Sequence, residues 1–199
     1  VAVALKFAHK IDEIGSSFGS LNVLGDNFQD TLIAQGNSVT AIGGGLTDVA
    51  GITNTLASSF GMNVDEASKL SGKVFDTGKA LGISADEASN LFGVLMTVGG
   101  LTAKQTEELT EGDFQLARQA GVAPAQVMKD IAGSAETVAI FTKDGGKNLL
   151  EAAISARQLG IRIDSIAKSA RGVLNFEESI EKEMTASVLT GVQLDLQKA

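Results

Sequence analysis

The chain of 199 residues contains no cysteine, tryptophan or tyrosine, one histidine (His9) and one proline (Pro124). Without cysteine there is no disulfide, thiolate zinc site, iron–sulfur cluster or cysteine nucleophile, although the redox compartment stays open. With a single histidine, a two-histidine metal site would need a second chain. Aromatic residues make up 5%, all nine of them Phe. That is poor material for an aromatic ligand cage, a base-stacking surface or a membrane-interface belt. Basic residues are also scarce, 16 against 24 acidic ones, for a formal charge of −8. With no basic stripe, sequence-specific nucleic-acid binding through phosphate neutralisation is not expected, nor is docking on anionic lipid. No run of 18 apolar residues is present, so no membrane span is expected. The opening Val1-Ala-Val-Ala-Leu-Lys-Phe-Ala8 is too short and wrongly flanked for a secretory signal and lacks Met. A helical pattern still runs at Ala199, so the expectation is a fragment of a longer polypeptide.

What is present is a 44% apolar content arranged in helical periods. Steps of four and three from Phe7 reach Ile11, Ile14, Phe18, Leu21, Gly25, Phe28, Leu32, Gln35, Val39, Ile42, Leu46, Val49, Thr53, Leu56 and Phe60. Thirteen of these sixteen positions are large and apolar. A 3.5-residue period held this long predicts helices supercoiling on a partner seam, because a lone amphipathic helix drifts from that register. The predicted oligomer interface is therefore Phe7, Ile11, Ile14, Phe18, Leu21, Phe28, Leu32, Val39, Ile42, Leu46, Val49, Leu56 and Phe60. A continuous rod over 7–60 would span on the order of 80 Å. Glycine opposes it, each interior Gly costing about 1 kcal/mol against Ala, and Gly43-Gly44-Gly45 is the expected break. The competing reading is two or three ordinary amphipathic helices whose faces agree by accident.

Past residue 60 one motif recurs, at Gly61-Met-Asn-Val-Asp-Glu66, Gly82-Ile-Ser-Ala-Asp-Glu87, Gly100-Leu-Thr-Ala-Lys-Gln105 and Gly121-Val-Ala-Pro-Ala-Gln126. Each Gly can close one helix in the left-handed conformation. Asn63, Ser84 or Thr102 can cap the next helix, with Glu66, Glu87 or Gln105 three residues on, and Pro124 suits a first helical position. A looser start stands at Gly160. The motif predicts helices over 64–79, 85–98, 103–119, 124–140, 147–158 and 163–171, and a long one from Phe176. The spacing decays after residue 121, which favours well-capped helices that look alike over solenoid repetition. The expected fold is all-α: an elongated coiled-coil-like helical arm (1–60) for self-association, an irregular bundle of short capped helices (61–172), and a C-terminal helix (173–199) continuing beyond the fragment.

Chemistry-bearing motifs are sparse. Asp65/Glu66, Asp86/Glu87 and Glu107/Glu108 are sequence neighbours, pointing about 100° apart on a helix, and their place in first turns suits the macrodipole. His9 reads as a solvated or interface side chain. Gly43-Gly-Gly and Asp144-Gly-Gly lack the Lys-Ser/Thr of a phosphate loop. Asp26, Asn27 and Asp30 miss calcium-loop spacing. Residues 104–118 are too acidic for a DNA-reading helix, and Arg157, Arg162 and Arg171 too sparse. No catalytic, cofactor-binding or metal-binding residues are expected.

Five stretches carry a resemblance: residues 91–102 (LFGVLMTVGGLT), 119–138 (QAGVAPAQVMKDIAGSAETV), 141–146 (FTKDGG), 156–160 (ARQLG) and 176–184 (FEESIEKEM). From about Gly82 to Leu196 the chain resembles the tail tape measure proteins of long-tailed bacteriophages. The resemblance implies a long helical virion protein lying in the tail lumen or tail tip, assembled in the host cytoplasm as a homo-oligomer of three parallel copies. It would set tail length, scaffold tail-tube assembly, contact tube and baseplate hub proteins, and leave ahead of the genome. It implies no enzyme here and no catalytic residues to carry over. The compact capped section departs from a simple rod and points to the tip or baseplate. The competing expectations are a helical adaptor that binds a partner helix in a groove, and a fragment of an enzyme whose catalytic residues lie elsewhere.

Overall fold

The computed structural model describes residues 27–135, 138 and 147–165, together with single helical positions at Leu5, His9, Asp12 and Ser16. Two compact units are present, Val1–Ile163 and Asp164–Ala199, and the first holds nearly all of the described residues. Every described element is a helix: α1 (Phe28–Val39), α2 (Leu46–Asn54), α3 (Val64–Leu81), α4 (Ala85–Gly93), α5 (Ala103–Gln119), α6 (Pro124–Ala132) and α7 (Lys147–Gln158). Helices α2 and α4 each run on into one wider π-helical turn, Thr55–Ser59 and Val94–Val98.

The helix starts follow the capping chemistry. Asn63 Oδ1 accepts from the Asp65 and Glu66 backbone N–H groups. Ser84 with Glu87, and Thr102 with Gln105, form reciprocal capping boxes. Helix α6 opens on Pro124 with no side-chain cap. It is shorter than the expected 124–140, because Gly133 ends it and the Ser134 carbonyl starts a new turn by accepting from the Val138 N–H. A helical turn begins at Ile163 as expected. The helix from Phe176 and the segment 173–199 lie outside the described residues.

The helix ends carry the organising feature. Gly43, Gly61, Gly82, Gly100, Gly121 and Gly160 all have φ between 68° and 83°, a region where L side chains are strained. Gly43, Gly82, Gly121 and Gly160 stand 39 residues apart, as do Gly61 and Gly100. The same register relates the helices. Hairpin α2–α3 is followed 39 residues on by α4–α5 and then by α6–α7, and α1 stands where the second helix of an earlier hairpin would. Burial repeats too. Phe28, Leu32, Gly36 and Val39 are buried on α1, and Ala67, Ser71, Phe75 and Gly78, each 39 residues on, are buried on α3. Thr106, Thr110 and Ala117 follow on α5, and Leu149, Ala153 and Ala156 on α7. Val49, Ala88 and Val127 do the same on α2, α4 and α6. The 39-residue register of buried positions carries past residue 121 to α7, while α6 lacks the wider turn that closes α2 and α4, so the 18- and 21-residue spacing of the corners decays there as expected. This is a stack of helical hairpins, each burying its apolar face against its neighbours.

The stretch 28–60 is two helices rather than one rod. Helix α1 ends at Val39, a short 3₁₀ turn (Thr40–Ile42) follows, and Gly43 turns the chain into α2. Close approach rests on glycine: a Cβ on Gly36 would strike Leu46, one on Gly44 the Phe75 ring, and one on Gly93 the Phe60 ring.

Gly93→Ala should therefore destabilise the fold by about 1–3 kcal/mol through overpacking. Adding Phe60→Leu should recover part of the loss in a denaturant titration. Gly45→Ala has open space and an ordinary φ, and should cost less than either corner variant, Gly82→Ala or Gly121→Ala.

Candidate functional site

The predicted seam residues divide into three groups. Phe28, Leu32, Val39, Val49 and Leu56 are at most 2% exposed within a single chain. Leu46 and Phe60 are half-buried, on Gly36 and Gly93. Ile42 is 40% exposed. Phe7, Ile11, Ile14, Phe18 and Leu21 lie outside the described residues. From Phe28 onward the apolar edge thus serves this chain's own core, with Ile42 as the exception.

Asp65/Glu66 and Asp86/Glu87 sit in first helical turns as expected, whereas Glu107/Glu108 lie past the first turn of α5, where Glu108 pairs with Lys104. Glu87 accepts from the Ser84 N–H at 2.9 Å and pairs with Lys129 of α6 at 3.0 Å. Its carboxyl is held below the usual range, first by the Ser84 backbone hydrogen bond and then by Lys129. Lys73 of α3 pairs with Glu107 of α5. Lys79 lies over the Phe75 ring at 5.5 Å, and 39 residues later Arg118 lies over Phe114 at 5.8 Å. His9 is helical and exposed. No cluster of three potential metal ligands occurs among the described residues, and no described helix is long and apolar enough to cross a membrane.

Sequence reading missed the strongest charged contact. Arg157 of α7 grips Asp130 of α6 through Nε and Nη2 at 2.5 and 2.6 Å, a bidentate pair, with Arg162 at 3.9 Å. Asp130 is 6% exposed. A signal was available, because Asp130 interrupts the apolar face of Val127, Met128 and Ile131. In the 39-residue register it replaces Leu91 and Ile52, both buried. The pair clamps α6 to α7.

Two open depressions were also invisible in the sequence. A small one, about 180 Å³, lies between Gly43, Phe75 and Ser84. A larger one, about 530 Å³, separates α3 from α5 and is lined by Asp76, Thr77, Leu81, Glu107, Glu111 and Phe114 among others. Its acidic rim and apolar floor form a groove suited to a polypeptide rather than a reaction centre. No protein family, curated protein or solved structure was found that matches this chain.

Removing one member of a buried ion pair strands the other. Arg157→Met, which leaves Asp130 only the more distant Arg162, should therefore destabilise the chain by about 1–3 kcal/mol. Asp130→Leu, which restores the residue type of the neighbouring hairpins, should cost less, and the double variant less than Arg157→Met alone. Chemical denaturation of the three checks this order. For Glu87, whose folded pKa is lowered, the stabilisation is fully present above its unfolded pKa and is lost as pH falls through the folded value. Glu87→Gln should thus flatten the acid limb of a melting-temperature-against-pH curve and lower the melting temperature near neutral pH.

Proposed function

We propose that this chain is a structural, non-enzymatic segment of a bacteriophage tail tape measure protein, placed near the tail tip or baseplate. In this reading it contributes to setting tail length, helps scaffold tube assembly and leaves at genome ejection. The observation that carries the reading is the sequence resemblance over residues 91–102, 119–138, 141–146, 156–160 and 176–184. The all-helical fold is compatible with it, and so is the use of Glu87, Glu107 and Asp130 in caps and ion pairs rather than in a reaction centre. The acidic balance limits adhesion to a genome sharing the same tube. Its partners are further copies of itself, three in parallel by the resemblance, with tube and hub proteins. Self-association through the heptads falls to Phe7, Ile11, Ile14, Phe18 and Leu21, together with the exposed Ile42.

A second reading, a helical adaptor that holds a partner helix in a groove, is favoured by one specific observation. Five seam residues from Phe28 to Leu56 are already buried in a single chain, so the described hairpins need no sister copy to close their core. Sedimentation mass separates the two. A discrete oligomer that dissociates on Phe18→Ser supports the tail reading, and a compact monomer supports the adaptor.

The direct test is genetic. In the parent virus, in-frame removal of residues 82–120, one hairpin in register, should give shortened or unassembled tails in electron micrographs. Tails of normal length and infectivity would overturn the tape measure reading.

A further inference from the structure

We draw no further inference here: the strongest candidate, the exposed apolar patch of Leu159 and Ile161 at the Gly160 corner after α7, whose counterparts Leu81 and Ile83 at the Gly82 corner are buried, carries nothing because no described residue shows what covers it.

Discussion

The structure depends on a backbone constraint before it depends on any side chain. A helix of 9 to 18 residues can bury its apolar stripe against its neighbour only if the chain reverses within three or four residues. That reversal needs one residue in the left-handed region, where a Cβ is penalised. Six glycines supply it, and each corner hands on to a new helix start. At Ile83 the backbone N–H returns to the Gly78 carbonyl, and at Val122 to that of Ala117, so the corner satisfies carbonyls that the helix end would leave open. Because alternate corners recur every 39 residues, the helices they join present their buried faces in one register.

Within that register, side-chain size decides how near neighbouring helices stand. Gly36, Gly78 and Gly93 admit Leu46, Ala88 and Phe60 to contact. Where a position of the register carries charge instead, Asp130 in place of Leu91 and Glu111 in place of Gly72, the outcome differs by partner. Asp130 is answered by the Arg157 fork and stays inside. Glu111 has no ion pair among the described residues and stays exposed beside the α3–α5 groove. The buried ion pair and the exposed carboxylate are thus two results of one kind of substitution, a carboxylate at the edge of a repeating core.

Much of this was legible in the sequence. Capping residues gave the starts of α3, α4, α5 and α6 at the observed positions, because Asn63, Ser84, Thr102 and Pro124 act locally. The break at Gly43 was legible for the same reason. Two things were not. A 3.5-residue period says that an edge is apolar but not whose core receives it. Phe28 and Leu32 fit an intermolecular seam as well as they fit the interior of a hairpin stack, and only tertiary packing separates the two. The repeat was obscured because equivalent sites hold different residues, Phe28, Ala67 and Thr106 for instance. The constant residue is the corner Gly, which marks the end of any helix and so does not by itself announce that the hairpins repeat. Asp130 and Arg157 are 27 residues apart, and no local rule joins them.

The wider turns that close α2 and α4 have a consequence of their own. In Thr55–Ser59 and Val94–Val98 the helix widens to the π form, as where the Gly99 N–H reaches back five residues to the Val94 carbonyl, and such a turn holds more residues than an α turn. An inserted residue that would otherwise rotate the following Gly61 or Gly100 corner about the helix axis is taken up in place. Such a turn acts as a vernier, letting hairpins of unequal sequence keep a common heading through the stack.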